Sequence, residues 1–224
     1  MTEISVIATL NDPVRLGLYD YVCAQDHDVS RDEAAAATGI QRGMAAFHLD
    51  KLAAAGLLTV TFRRPAGRSG PGAGRPAKLY CKSDAEHQVS VPPRDYRAAA
   101  EILAEVAEVT GAEPAVHRVA RRRGSQAGRA ARTADPSTNA ADLVATTLAA
   151  QGYQPYQDGP VLRLRNCPFH VLAGQHPPLI CGMNLAFVEG LLDETAAGGL
   201  AARLDPQPGD CCVVVASQSK NVNS

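Results

Sequence analysis

One stretch of this chain, residues 30–80, restricts the possible folds more than any other. Ser30 is a favourable N-cap, and the Ala-rich run at 31–39 predicts a short helix that Gly39 can end in a left-handed conformation. After a tight turn, the apolar spacing of residues 41–55 predicts a second helix. Its apolar positions are Met44, Phe47, Leu49 and Leu52, which leaves Gln41, Arg42, His48 and Lys51 free to face outward.

The residues after this second helix predict a β-hairpin with a basic loop. Residues 57–63 are β-branched and apolar enough for a strand, and residues 77–81 can return beside them. The loop between them, RPAGRSGPGAGRP, contains too much Gly and Pro to pack, so it can follow a phosphate backbone without a fixed shape of its own. The basic residues in and beside the loop are Arg63, Arg64, Arg68, Arg75 and Lys78.

Helix, turn, helix, strand, basic loop and strand follow one another in the order of a winged helix-turn-helix. The segments SRDEAAAATGIQRGMAAFHLDKLAAAGLL and GAGRPAKLY resemble the ArsR-type family of bacterial transcriptional regulators. The resemblance implies that residues 41–55 are the recognition helix and residues 64–76 the wing. We therefore expect double-stranded DNA as a partner. An ordinary small domain, or a winged helix that contacts proteins, stays open as an alternative.

Charge and composition restrict the cellular setting. The formal net charge is −1, from 22 Lys and Arg against 23 Asp and Glu, so a basic surface for nucleic acid has to be local. No run approaches the roughly 18 apolar residues that span a bilayer, and the first ten residues lack the pattern of a signal peptide. We expect a cytoplasmic protein with no membrane partner. In a reducing compartment, six cysteines favour metal or redox chemistry over a disulfide framework.

Helices are predicted on both sides of the DNA-binding stretch. Asp12-Pro13 is a typical helix start, and residues 13–25 continue with helical spacing. After a polar linker at 83–93, residues 94–111 and a more basic stretch at 112–132, interrupted by Gly124 and Gly128, predict two more helices. We assign this pair to homodimerisation, because a palindromic operator needs a two-fold protein. A plain connecting pair of helices is the alternative.

The order of helices and strands in the C-terminal part predicts a small α+β domain. Residues 139–151 predict a helix, and residues 153–157 and 160–166 predict two strands joined by a type I′ turn around Asp158-Gly159. A helix at 179–195 and a buried strand at 211–216 follow. The whole chain is predicted as mostly α with an α+β sensor. Its predicted parts are a DNA-binding domain at 1–83, a helical linker and dimerisation segment at 84–134, a sensor at 135–216 and a flexible tail at 217–224.

Four of the six cysteines lie in this last domain. Cys167 follows a predicted strand, Cys181 lies at the opening of a helix, and the pair Cys211-Cys212 begins a strand. Three segment ends could therefore meet at one bound centre, where backbone N–H groups stabilise thiolate sulfur. The intervals of 13 and 29 residues between the three positions are not zinc-finger spacings. Cys23 and Cys81 lack a neighbouring ligand and read as small hydrophobic residues.

The segments NCPFHVLAGQHPPLICGMNLAFVEGLL and LDPQPGDCC resemble the C-terminal sensor domain of SufR-type regulators. Those regulators carry an iron–sulfur cluster and repress the operon for cluster assembly. The resemblance implies that Cys167, Cys181 and one of Cys211 or Cys212 bind a [4Fe-4S] cluster. We favour Cys211, because neighbouring side chains on a strand point to opposite faces and the pair cannot easily serve one site.

The fourth iron ligand is not implied by the resemblance, because no cysteine follows Cys212. His170, three residues after Cys167, is our first candidate, followed by His176, Glu189, a small thiol or water. A non-thiolate ligand would leave the cluster labile, which suits a sensor.

The resulting hypothesis is a homodimeric repressor whose cluster holds two DNA-binding domains at the spacing of successive major grooves, about 34–36 Å. A zinc-dependent or thiol-redox-responsive regulator is the alternative. An enzyme with a small-molecule substrate is disfavoured, because the chain has no nucleotide-binding glycine motif after a strand, no nucleophile elbow and no HExxH motif.

Overall fold

The structure is a computed structural model, and it describes residues 2–63, 76–195 and 198–217. Its contacts divide the chain into an N-terminal unit, Met1–Arg94, and a C-terminal unit, Asp95–Ser224. The fold is mixed α+β and predominantly helical, with two small antiparallel sheets, as the sequence predicts at this level. No helix in the described part is both long and apolar enough to cross a membrane.

The N-terminal unit packs four helices against a three-stranded antiparallel sheet. Its elements are α1 Glu3–Thr9, α2 Pro13–Cys23, β1 Val29–Ser30, α3 Arg31–Thr38, α4 Arg42–Ala54, β2 Leu58–Arg63 and β3 Ala77–Lys82. The strand order is β1-β3-β2, so the hairpin of β2 and β3 forms as predicted. Its core contains Leu18, Val29, Leu49, Leu52 and Tyr80, all with no exposed surface. Cys23 is buried within this unit, as expected for a small apolar side chain.

Helix ends in this unit follow from the capping residues. The Asp12 carboxylate accepts hydrogen bonds from the backbone N–H groups of Val14 and Arg15 at the start of α2. Ser30 and Glu33 form a reciprocal capping box at the start of α3, and Gly39 ends α3 with φ of 70°. These local signals explain why the predicted starts of α2 and α3 are confirmed.

The C-terminal unit contains five helices and a four-stranded antiparallel sheet. Its elements are α5 Tyr96–Val109, α6 Glu113–Ala134, α7 Ala140–Ala150, β4 Pro155–Asp158, β5 Val161–Leu164, α8 His170–Gln175, α9 Pro177–Glu194, β6 Leu200–Leu204 and β7 Val213–Ser217. The strand order is β4-β5-β7-β6. The helices predicted as a linker, α5 and α6, belong by their contacts to this unit. The predicted tail, beyond 217, lies outside the described residues.

The two glycines expected to interrupt α6 do not do so. Helix α6 runs unbroken for 22 residues, and both Gly124 and Gly128 are buried in it. A Cβ atom on Gly124 would overlap the backbone carbonyl of Phe187 in α9, and one on Gly128 would lie 2.8 Å from the carbonyl oxygen of Leu191. A Cβ atom on Gly190 of α9 would likewise overlap the backbone carbonyl of Arg121 in α6. The glycines therefore permit a close helix crossing, and this packing outweighs their low helix propensity.

Three further details differ from the sequence prediction. Asp158 pairs with Val161, so the β4–β5 turn consists of Gly159 and Pro160. A type I′ turn is excluded, because it needs positive φ at both central residues and proline cannot adopt it. Helix α8 and the edge strand β6 were also missed. Each is short, and β6 is only half-buried, so neither has a clear apolar period.

Candidate metal centre and nucleic-acid surface

The sheet and α9 bring four thiols of the C-terminal unit together. Strands β5 and β7 pair antiparallel, so the residues after β5 lie beside those before β7, where the Cys211 N–H donates to the Leu164 carbonyl at 2.8 Å. Cys167 follows β5, and Cys181 is in the second turn of α9. We call Cys167, Cys181, Cys211 and Cys212 the thiol cluster.

The thiol cluster consists of two sulfur pairs. The Sγ atoms of Cys181 and Cys212 lie 3.3 Å apart. A side-chain interaction between the Cys167 and Cys211 thiols raises the pKa of Cys167 and lowers that of Cys211. Charge on Cys211 also raises the pKa of Cys181, so the two pairs are close enough to interact electrostatically. The three segments that carry these cysteines therefore come close to one another.

Our reason for choosing between Cys211 and Cys212 is wrong. Strand β7 begins at Val213, so both cysteines lie in irregular backbone before it and do not alternate between the faces of a sheet. Each has a sulfur neighbour: Cys167 for Cys211, and Cys181 for Cys212. Both members of the pair can therefore serve the same site.

The thiols differ in acidity because of their neighbours. The pKa of Cys211 is lowered to about 7, chiefly by the side-chain hydrogen bond with Cys167. Burial opposes this shift, and hydrogen bonds from the Val213 N–H and the Asn184 amide contribute to it. The same shared proton, followed by burial, raises the pKa of Cys167. Burial, followed by the contact with Cys212, raises the pKa of Cys181 to about 12. Binding of a metal therefore has to release protons from Cys167 and Cys181.

Two residues that the sequence reading missed support Cys211. The Asn184 amide Nδ2 donates to the Cys211 sulfur at 3.2 Å, and the Tyr153 hydroxyl donates to the Asn184 carbonyl oxygen. Asn184 is 2% exposed and Tyr153 is 4% exposed, so both polar groups are satisfied inside the unit. The signal was an Asn three residues after Cys181, in the apolar first half of α9.

The other predicted ligands are less well placed. His170 is exposed at the start of α8, where its backbone N–H donates to the Cys167 carbonyl at 3.0 Å. His176 Nδ1 lies 2.7 Å from Glu108 Oε2, and Glu189 pairs with Arg121 at 2.7 Å. Glu189 is also eight residues after Cys181, about 12 Å along α9. Of the two predicted histidine ligands, His170 is the nearer in sequence to a cysteine of the thiol cluster, three residues after Cys167.

The chemistry of the donor set decides whether the implied cofactor fits this site. Within the described ranges, no three His, Cys, Asp or Glu side chains are arranged around a single metal-ion position. The thiol cluster offers sulfur alone, in two pairs instead of one ring. Thiolate sulfur suits iron–sulfur clusters and soft metals, and four cysteines match the usual number of ligands of a [4Fe-4S] cluster. The residues therefore fit a cluster in kind and number.

Helix α4 of the N-terminal unit presents a mixed surface. Gln41, Arg42 and Lys51 are exposed, as predicted. The prediction that His48 faces outward is wrong, because it is 9% exposed and packs edge-to-face against Phe47. Met44 and Phe47 take the outward positions instead. Alanine at 45, with Leu49 and Leu52, completes the buried face without them.

Acidic residues of the same unit pair with three of the four described basic residues that were predicted to contact DNA. Arg42 pairs with Asp32, Arg63 pairs with Asp28 at 3.2 Å, and Lys78 pairs with Asp50. Contact with phosphate would require these pairs to open. The cost is small for the exposed Arg42–Asp32 pair and larger for the other two, because Asp28 and Lys78 are partly buried. The predicted wing residues Arg64, Arg68 and Arg75 lie outside the described residues.

Asp50 links α4 to the hairpin by hydrogen bonds from β3. These bonds predict that the stability of the unit falls at acid pH. Although burial raises the pKa of Asp50, hydrogen bonds from Lys78 and Tyr80 lower it overall. The carboxylate therefore stabilises the fold above its unfolded pKa of about 3.9, and this stabilisation is lost as pH falls through the lower folded value. We expect Asp50→Asn to reduce the free energy of unfolding at pH 7, with a difference from wild type that shrinks as pH falls below about 4.

Urea unfolding at a series of pH values measures this difference. Asp84→Asn, at an exposed position of the same unit, is the control. A difference for Asp50→Asn that stays constant down to pH 3 would show that the charge of Asp50 is not the cause.

No protein-family model, curated protein or solved structure matches this chain.

Proposed function

We propose that this protein is a homodimeric transcriptional repressor with a winged helix-turn-helix DNA-binding domain and an iron–sulfur sensor domain that reports cluster status or oxidative stress. Control of cluster-assembly genes is the expected role. One observation supports the proposal most: four thiols from three separate segments come together in the C-terminal unit.

The order of elements supports the DNA-binding part. Helices α3 and α4 are joined by a tight turn at Gly39, and the β2–β3 hairpin follows directly. Helix α4 has exposed Gln41, Arg42 and Lys51, which can contact phosphates and base edges. In a winged helix-turn-helix, this second helix enters the major groove.

Cys167, Cys181 and Cys211 would hold the cluster, as the resemblance implies. Cys212 becomes the first candidate for the fourth ligand, ahead of His170, because its sulfur contacts that of Cys181. A bound cluster supplies a redox-sensitive group that ties the three segments together. Asn184 holds the Cys211 sulfur by its hydrogen bond, and the low pKa of Cys211 keeps a thiolate ready for iron.

An apolar face on α5 supports the homodimer. Ile102, Leu103, Val106 and Val109 are each more than half exposed on this helix. Charges on α5 are already paired within the chain, Arg97 with Glu101 at 2.9 Å and Glu108 with His176 at 2.7 Å. Two antiparallel copies would bury the same apolar stripe of each chain and would oppose the helix dipoles favourably. The exposed apolar stripe therefore favours a second copy as the partner of this face.

We expect Val106→Glu to convert the dimer to a monomer, because two carboxylates would be buried near the two-fold axis without partners. Sedimentation equilibrium measures the mass. Val119→Glu, at a similarly exposed apolar position on α6, is the matched control and should stay dimeric. A monomeric wild type, or a dimeric Val106→Glu variant, would contradict the assignment of this face.

The function is tested by measuring operator affinity with and without the cluster. Anaerobically prepared and apo protein are titrated against DNA from the chain's own promoter at matched salt. We expect the apo form to bind about 5- to 150-fold more weakly, the range of a coupling of 1 to 3 kcal/mol. Equal affinities would remove the switch, and no specific binding by either form would remove the repressor.

A thiol-redox regulator is the second candidate. The 3.3 Å contact between the Cys181 and Cys212 sulfurs favours it, because two adjacent thiols can be oxidised to a disulfide. Iron and acid-labile sulfide analysis of anaerobic protein distinguishes the two. Iron and sulfide together, with absorption at about 400 nm, are expected only if the protein binds the cluster.

A further inference from the structure

Two apolar side chains occupy the outward surface of the predicted recognition helix. Met44 is 47% exposed and Phe47 is 55% exposed on α4. With Lys51, they follow the i, i+3, i+7 spacing of one helix stripe. The core of the unit does not need them, because other residues of α4 supply its buried face. An exposed apolar pair at this position calls for a partner with apolar groups.

The Phe47 ring is held in place by its neighbours. Lys51 Nζ lies 4.7 Å from the ring centroid, in cation–π geometry. The His48 ring packs edge-to-face at 5.2 Å between centroids. A ring held in this way loses little conformational freedom on binding.

Positive charge lies at both ends of the exposed part of α4. Lys51 follows the apolar pair on the same stripe, whereas Arg42 precedes it and lies about 180° around the helix from Lys51. A polyanion with apolar groups between its phosphates matches this arrangement. The major groove of DNA is such a surface, because the thymine methyl is the apolar group on its base edges. A stable protein interface instead needs about 20–30 residues on each side, far more than two side chains.

We propose that Met44 and Phe47 determine operator sequence by contacting thymine methyl groups in the major groove. This inference rests on the proposed DNA-binding function. The basic neighbours position the helix on the phosphates, and the apolar pair distinguishes T·A from other base pairs.

The test removes the methyl group from the DNA. Binding sites are first enriched from a random duplex pool with the full-length, cluster-loaded protein. Each thymine of the enriched site is then replaced singly by deoxyuridine, which lacks only that methyl group. We expect at least one replacement per half-site to weaken wild-type binding about fourfold, the equivalent of about 0.8 kcal/mol for one buried methyl group.

Protein variants assign the effect to the two residues. In Phe47→Ala or Met44→Ala, discrimination between thymine and deoxyuridine should disappear at the corresponding position. Leu16→Ala, at an apolar position of α2 that is 42% exposed, is the control and should discriminate like wild type. The DNA substitution acts on wild-type protein, so its outcome does not depend on the folding of any variant.

The outcomes separate the inference from the function on which it rests. Failure to enrich any sequence would contradict DNA binding itself. Enrichment followed by equal binding of thymine and deoxyuridine sites would overturn the apolar readout and leave the repressor standing. Unchanged DNA affinity and discrimination in both variants would also overturn it and would assign the pair to a protein partner.

Discussion

Serine at Cys167 or Cys181 is expected to abolish assembly of the iron–sulfur cluster. Each replacement removes one ligand and breaks one of the two sulfur pairs. Loss of a ligand should exceed the 10- to 100-fold cost in metal affinity that is typical of mutations next to a metal site, so iron per chain should fall more than about tenfold. Iron and sulfide analysis after anaerobic reconstitution measures it.

Replacement of the adjacent cysteines adds information on the fourth ligand. If all four thiols bind, Cys211→Ser and Cys212→Ser should each lower iron content as well, whereas His170→Ala should not. Cys81→Ser is the matched control, because this half-buried cysteine belongs to the N-terminal unit.

Circular dichroism of the apo variants separates ligand loss from unfolding. Wild-type iron content in folded Cys167→Ser and Cys181→Ser would contradict a cluster at this site, whatever the behaviour of the other variants.

Alanine at Gly124 or Gly190 is expected to be the most damaging small substitution in the chain. The added Cβ would overlap backbone carbonyls, of Phe187 in the first case and of Arg121 in the second. Backbone cannot rotate away as a side chain can, so the α6–α9 crossing would have to open. Overpacking typically costs 1–3 kcal/mol, and we expect about 3 kcal/mol or more here.

Urea unfolding of the full-length protein, followed by circular dichroism, measures this loss. Gly174→Ala is the matched control: Gly174 is an exposed helical position of the same unit, and a Cβ there would meet no atom within 4 Å. It should be neutral or stabilise by up to about 1 kcal/mol. An unchanged unfolding midpoint for Gly124→Ala would show that the two helices can separate without cost. If Gly124→Ala does not accumulate as folded protein while Gly174→Ala does, the result also agrees with the expectation.

Helix starts were predictable because their signals are local. Asp12, Ser30 and Asn139 each cap a helix within three residues of chain, so no knowledge of the tertiary fold is needed. The meeting of the thiols was predictable only in outline. Cysteines at segment ends indicated a shared site, but which sulfurs touch depends on the β5–β7 pairing, a contact distant in sequence.

The burial of individual residues could not be predicted from the sequence. Gly124 reads as a helix breaker by propensity, and only the partner helix α9 explains why a glycine is needed there. His48 is polar and was predicted to be exposed. The orientation of α4 against its core instead buries His48 and leaves Phe47 exposed. In both cases a neighbour from elsewhere in the chain decides the result, and a single sequence does not reveal that neighbour.

The close crossing of α6 and α9 has a consequence for how the sensor would respond. Cys181 lies on α9 beside Gly182, whose missing side chain leaves room for the His117 ring of α6. This helix cannot shift without collisions along its length, so Cys181 has little freedom of movement. Cys167, Cys211 and Cys212 lie instead in irregular backbone at strand ends. Departure of a cofactor should therefore remodel these two connecting segments first, around one immobile anchor point.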